Sequence, residues 1–133
     1  MITECELIEK YLGVPYKHKG RDIEEGLDCW GFLKLCFRDM GFELIDPGID
    51  YPEGWAKRGG NFFIENYHLQ WESVNSPNPF DVVLFKNANN VANHAGIILS
   101  RARFIHCALK TGVAVCRLND WKNRIYGFYR LIK

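Results

Sequence analysis

From residue 80 onward the chain is a run of short, β-rich segments set apart by turn residues, and this half decides what the rest can pack against. DVVLF (81–85), HAGIILS (94–100), ARFIHCAL (102–109), GVAVCRL (112–118) and IYGFYRLI (125–132) have strand length and strand composition. Asn87–Asn90, Arg101, Lys110–Gly112 and Asn119–Asn123 separate them. Links this short join antiparallel neighbours, because a parallel pair needs a crossover of about a dozen residues or more.

The first forty residues have the other periodicity. Thr3 followed by Glu6 is a capping box, and Leu7, Ile8, Tyr11 and Leu12 lie on one helical face, so a helix is predicted over 3–12 and stopped by Gly13 and Pro15. Residues 14–27 read as a polar loop with Gly20 and Gly26. A second helix is predicted from Cys29 to Met40: Trp30, Leu33, Phe37 and Met40 recur at helical spacing, Asp28 is the N-cap and Gly41 the C-terminal stop. Residues 46–79, with Pro47, Pro52, Pro77 and Pro79, read as a long irregular connection, with a short helix around Trp55–Tyr67. Trp55, Phe62, Phe63, Tyr67 and Trp71 argue that it is ordered. Helices first and an antiparallel sheet afterwards is an α+β fold.

Composition narrows the function classes. The 133 residues suit one domain, 1–133, and 47% hydrophobic residues can bury a core. A formal net charge of +1 gives no electrostatic case for nucleic acid, and the basic run Lys17–Arg21 is broken by Gly20 and followed by Asp22, Glu24 and Glu25. No window approaches the ~18 apolar residues of a membrane span. The start, MITECELIEK, lacks a basic segment followed by an apolar one, so no signal peptide is expected and the chain is read as made in the cytoplasm. Cysteines at 5, 29, 36, 107 and 116, an odd number without a C-x-x-C pair, fit free thiols in a reducing compartment.

The chemistry-bearing candidates are Cys29, His94 and His106. Cys29 sits in GLDCWGF, in the first turn of the second predicted helix, where unpaired N–H groups and the helix dipole favour a thiolate. His94 and His106 lie on successive predicted strands, twelve residues apart across the turn at Arg101, and both can face one side of the sheet. On the second of these strands His106 shares a face with Phe104 and Ala108, while Ile105 and Cys107 take the other. A thiol nucleophile needs a base, and the base needs a partner that fixes its tautomer. Cys29, His94 and His106 supply those roles in order, with a thiolate–imidazolium pair as the expected state and backbone N–H groups at the helix start as oxyanion donors. Two other uses remain open: buried structural residues, which suits Cys36 and Cys107 well, and a zinc site from Cys29, Cys107, His94 and His106, although the paired knuckle spacing is missing. His18 and His68 fall in loops and read as solvated.

Over most of its length the chain resembles the NlpC cysteine peptidases, papain-like enzymes that cut bacterial cell-wall peptides. YLGVPYKHKGRDIEEGLDCWGF is similar to the family's opening, PFDVVLF to its Gly-Asp-Val-Val-x-Phe strand with Phe80 in place of the usual Gly, NHAGIIL to its His-x-Gly-Ile strand, and FIHCALKTGVAV to its Phe-Ile-His-Ala strand and hairpin. The resemblance implies N-terminal helices packed on a five- to six-stranded antiparallel sheet. It implies Cys29 as nucleophile, His94 as base and His106 as its orienting partner, with no cofactor. Tyr16, Asp28 and Trp30 would then be substrate-binding, Asp28 by meeting a substrate amine. The implied reaction is hydrolysis of peptidoglycan stem peptides at D-glutamyl–diaminopimelate or D-glutamyl–lysine bonds. The Asp-Cys-Trp-Gly form and the closing WKNRIYGFYRLIK resemble the subgroup encoded by phages and prophages. That implies a virion tail component acting on the cell wall, with other tail proteins as partners. Cys29 precedes His94 by 65 residues, the peptidase order and not that of permuted acyltransferase relatives.

Overall fold

The computed structural model describes residues 2–44 and 71–132. Helix α1 spans Glu4–Tyr11 and helix α2 spans Cys29–Asp39. Strands β1 (Arg21–Asp22) and β2 (Gly26–Leu27) form a small hairpin between them. The main sheet contains β3 (Trp71–Val74), β4 (Val82–Lys86), β5 (Ala92–Leu99), β6 (Arg103–Ala108), β7 (Gly112–Arg117) and β8 (Ile125–Leu131). Its six antiparallel strands run in the order β3-β8-β4-β5-β6-β7. The α+β class and the sheet of helices-first topology are as the sequence implies.

Three features differ from the sequence expectation. The segment 14–27, read as loop, contains the β1–β2 hairpin, whose two-residue strands are too short to show an alternation. Strand β3 falls inside the stretch 46–79 read as irregular, and pairs with β8 through Trp71↔Leu131 to Val74↔Phe128. Strand β8 follows β7 in sequence yet lies between β3 and β4. The link between them is a 3-10 helix, Leu118–Arg124, that carries the chain away from β7, so the short link does not make antiparallel neighbours here. The helix expected around Trp55–Tyr67 lies outside the described residues.

Helix α1 has both halves of its capping box: Glu6 N–H donates to Thr3 Oγ1 at 3.1 Å and Thr3 N–H to Glu6 Oε1 at 3.0 Å. Leu7 and Tyr11 are buried, whereas Leu12, just past the helix, is 56% exposed. Glu4 ties this helix to the β5–β6 turn, accepting from Ser100 N–H and Oγ and from Arg103 Nη2 at 2.7 Å. Lys10 and Tyr11 both donate to Asp39 at the far end of α2. Helix α2 buries Trp30, Leu33, Cys36, Phe37 and Met40, the face its spacing predicts, against Ala95, Ile97, Leu99, Ile105 and Cys107 of the sheet. Residues of alternate parity, Val83, Phe85, Ile98 and Phe104, form a second apolar cluster on the opposite face, closed by Leu118 and Trp121 of the 3-10 helix.

The segment before α2 is fastened on two sides. Val113 N–H donates to Val14 O and Gly13 N–H to Val113 O, so residues 13–14 cover the outer edge of β7. Leu27 N–H donates to Pro15 O and Lys17 N–H to Leu27 O, which draws Tyr16 alongside β2. The loop then passes so close to the helix that a Cβ on Gly31 would stand 2.0 Å from Gly20 O, and one on Gly20 would stand 2.2 Å from Gly26 O. These are backbone collisions that no rotamer change relieves. Gly31→Ala should therefore cost about 1–3 kcal/mol of stability, the range for overpacking a tight contact, read as a lower urea midpoint at unchanged m-value. An unchanged midpoint would show that the loop is not held against the helix.

Candidate active site

The start of α2 meets the sheet at a cleft of about 470 Å³. Tyr16, Asp28, Cys29, Trp30, His94 and His106 all line it, so the fold brings these six residues together. Each arrives by a local cause. Cys29 is the first residue of α2, and Asp28 caps that helix through Oδ1, which accepts from Gly31 N–H at 2.8 Å. His94 stands opposite Phe85 in the β4–β5 register, next to an irregularity at which pairing steps from Phe85↔His94 to Lys86↔Ala92. Asn93 is the extra residue of that bulge. Bulges re-aim neighbouring side chains, and this one lies at the cleft. His106 is opposite Gly96 on β5, where a Cβ would meet the His106 Cβ at 3.3 Å and Ile105 O at 3.0 Å.

The two imidazoles are directly bonded: His94 Nε2 and His106 Nδ1 are 2.7 Å apart. One of the two nitrogens must carry the proton. If His94 donates, its Nδ1 is left as an acceptor, the tautomer a base requires. His106 then bears its proton on Nε2, and Cys116 Sγ lies 3.5 Å from that nitrogen. The His94 ring stacks beside Phe85 with centroids 5.9 Å apart and beside Trp121 at 6.3 Å.

This apolar surround sets the charge state. Burial, then the neighbouring His106 and Arg124, hold His94 down to about 3, and burial with Arg124 holds His106 down to about 4. Burial and the charge of Asp28 push the Cys29 thiol above its ordinary range, opposed by the backbone N–H groups of Ala95 and Trp30. The resting cleft thus favours a neutral thiol and neutral rings, not the expected ion pair. The helix-start N–H groups do favour a thiolate, but desolvation and the adjacent carboxylate outweigh them.

Asp28 lines the cleft and also has a structural use. Its carboxylate accepts from Gly31 N–H, from Lys19 N–H at 3.0 Å and from Arg21 Nη1 at 2.9 Å, so it anchors the loop to the helix before it meets any substrate. The rival zinc set does not assemble: His106 faces the cleft, while the Cys107 thiol, on the opposite side of β6, donates to Leu27 O at 3.1 Å. Among the described residues no three His, Cys, Asp or Glu side chains converge as metal ligands. His18 is partly buried, and His68 lies outside the described residues.

Other cleft residues were not singled out as site residues from the sequence, among them Asn93, Lys110, Cys116, Trp121 and Arg124. Trp121 and Arg124 had a signal, a W-x-x-R spacing, which becomes one face only once the segment is a 3-10 helix. Asn93 Oδ1 is buried without a hydrogen-bond partner, which no pattern in the chain announces.

The sequence pattern of the NlpC/P60 family matches residues 13–130. The chain belongs to the NlpC/P60 family. It is similar to the gamma-DL-glutamyl hydrolase of Bacillus subtilis, 32% identical over 130 residues, which cover 92% of this chain and 27% of that protein. It is also similar to the murein DD-endopeptidase MepS/murein LD-carboxypeptidase of Escherichia coli K12, at 30% over 115 residues, 84% of this chain and 53% of the relative. A shorter match, 32% over 82 residues, is to the tail tip assembly protein K of Escherichia phage N15, covering 59% of this chain and 34% of that one. An NlpC/P60 family protein from Bacillus cereus superposes with a TM-score of 0.68 at 20% identity, covering 99% of this chain and 41% of that one. The NlpC/P60 domain of the peptidoglycan hydrolase SagA superposes at 0.59 and 19%, covering 99% of this chain and all of that one. At those identities the structures speak for the fold. The chain spans between about a quarter and a half of the length of the two curated bacterial relatives.

Phe80 has φ of +74°. This left-handed conformation costs a residue with a Cβ about 1–2 kcal/mol. It is held by packing of the ring on the main core and by Phe80 N–H donating to Ile98 O at 2.7 Å.

The depressed histidines tie stability to pH. In the unfolded chain both rings protonate near 6.5; in the fold they stay neutral to about 4 and about 3. The unfolded state therefore takes up protons first as pH falls. Their contribution is complete above about pH 6.5 and is lost progressively towards 4 and then 3. Urea unfolding should show a loss of about 2–4 kcal/mol between pH 7 and pH 5, and a smaller loss in His94→Asn/His106→Asn. Equal slopes for wild type and the double variant would show that the rings are not held neutral.

Proposed function

We propose that this chain, as one domain over 1–133, is a cysteine endopeptidase that hydrolyses peptidoglycan stem peptides through an acyl-enzyme. The observation that carries the proposal is the 2.7 Å bond between His94 and His106 at the cleft that Cys29 lines. Cys29 is the nucleophile. His94 Nδ1 takes the thiol proton as sulfur attacks the scissile carbonyl, then returns it to the leaving amine. His106 accepts from His94 Nε2–H and so holds the ring in the tautomer the transfer requires. The Gly31 amide is already used by Asp28, so the Cys29 N–H remains as an oxyanion donor at the helix start. No cofactor enters the reaction. Tyr16, Trp30 and the edge of Asp28 form the substrate wall on the helix side.

Both bacterial relatives at 30% identity or more are named for hydrolysis of glutamyl or murein peptides. The murein name supports peptidoglycan as substrate, and the gamma-glutamyl name favours the D-glutamyl–diaminopimelate or D-glutamyl–lysine link over the DD and LD bonds for which the Escherichia coli relative is named. The similarity to the tail tip assembly protein of phage N15 supports a tail-associated cell-wall hydrolase with other tail proteins as partners. It equally favours a second reading, a tail assembly protein that kept the fold and lost the reaction. Among the described residues no helix is long and apolar enough to cross a membrane.

Digestion of purified peptidoglycan followed by mass analysis of the fragments separates these readings and identifies the bond. Wild type should release stem-peptide fragments, and Cys29→Ala and His94→Ala should each lose at least about a thousandfold in rate. His106→Ala should lose less, about ten- to a hundredfold, because orientation and not the proton acceptor is removed. Cleavage by folded Cys29→Ala at the wild-type rate would refute the assignment of the nucleophile. Intact peptidoglycan after incubation with wild type would favour the assembly protein.

A further inference from the structure

We propose that Arg124, held over the indole of Trp121 at the cleft, is a recognition site for a carboxylate carried by the peptide substrate close to the bond that is cut. The proposal deepens the peptidase reading and rests on it. Trp121 is fixed by the second core cluster, with its ring centroid 5.0 Å from Phe85, 5.5 Å from Phe104 and 5.0 Å from His106. In a 3-10 helix residues three apart eclipse one another, so the residue above Trp121 is Arg124. The guanidinium carbon accordingly lies 4.4 Å from the indole centroid, an arrangement that orients its plane and favours the cation.

This charge is not consumed within the fold. The acid nearest in sequence, Asp120, is paired with Arg117 at 3.2 Å, and the carboxylate that lines the cleft, Asp28, is paired with Arg21. Among the described residues Arg124 forms no ion pair, and Lys110 is a second cation of the cleft lining. A planar fork of donors on an aromatic platform matches a carboxylate in shape as well as charge. Its position is one ring removed from the histidines, since the same indole touches both, so the carboxylate it reaches belongs to a residue at or next to the scissile bond. A bound carboxylate would also cancel the field that Arg124 exerts on both imidazoles and make His94 a better base when substrate is present.

Calorimetric binding to Cys29→Ala protein tests this without turnover. The probes are L-alanyl-γ-D-glutamyl-L-lysine with a free glutamyl α-carboxylate, and the same peptide with an α-carboxamide. The carboxylate peptide should bind about tenfold more tightly. Arg124→Gln in the same background should bring its affinity down to that of the carboxamide peptide, and Arg124→Lys should recover part of the difference. Equal affinities for the two peptides, a preference that survives Arg124→Gln, or no saturable binding of either would overturn the proposal. Peptidoglycan digestion by wild type judges the peptidase reading separately. Digestion without a carboxylate preference removes this inference alone, and a preference without digestion removes only the reaction.

Discussion

The carboxylate of Asp28 is the joint on which the site depends. It caps α2 by accepting from Gly31 N–H, and it holds the preceding loop by accepting from Lys19 N–H and Arg21. Removing one buried partner from such a cluster leaves the others unsatisfied, at about 1–3 kcal/mol each. The cap decides where the helix begins and therefore that Cys29 is its first residue. The loop contacts decide that Tyr16 and β2 lie beside it. The close approach of Gly20 and Gly31 follows from the same joint, because the loop can be drawn in only where the helix presents no side chain.

The sheet contributes the other wall by alternation. Residues of one parity on β5 and β6 bury against α2, and residues of the other parity present His94 and His106 together with Phe104 and Ile98. An imidazole pair so placed stays neutral because its neighbours are aromatic rings and an arginine, and the first effect of burial is to disfavour charge. Burial and the charge of Asp28 raise the Cys29 thiol, so the cleft disfavours charge on the thiol as it does on the rings. A preformed ion pair is the alternative it disfavours.

Long-range sheet order was the least legible part of the fold. The strands over 81–132 announced themselves by composition and turn residues, and α1 and α2 by their caps and apolar faces. Strand β3 did not, because a four-residue edge strand inside a proline-rich stretch has no alternation to read. The place of β8 between β3 and β4 was hidden for a different reason: the 3-10 helix makes a short link in sequence into a crossing in space. Within the site, Cys29, His94 and His106 were legible as residue types at suggestive positions. Trp121, Arg124, Cys116 and Asn93 were not, since they reach the cleft through a 3-10 turn, the β6–β7 register and a bulge, none of which carries a composition of its own.

The sequence by itself determined the order of α1, α2 and the strands from β4 to β8, the capped start of α2 under Cys29, and the shared face of His106 and Phe104. These are matters of local periodicity and capping, which act over a few residues. Only the tertiary structure decided that His94 and His106 bond at 2.7 Å, that Asp28 holds its own loop, and that burial disfavours charge on the thiol and the imidazoles. Each of those depends on distance and burial between segments far apart in the chain, and the Coulomb and desolvation energies that settle them exist only after the chain has closed around the cleft.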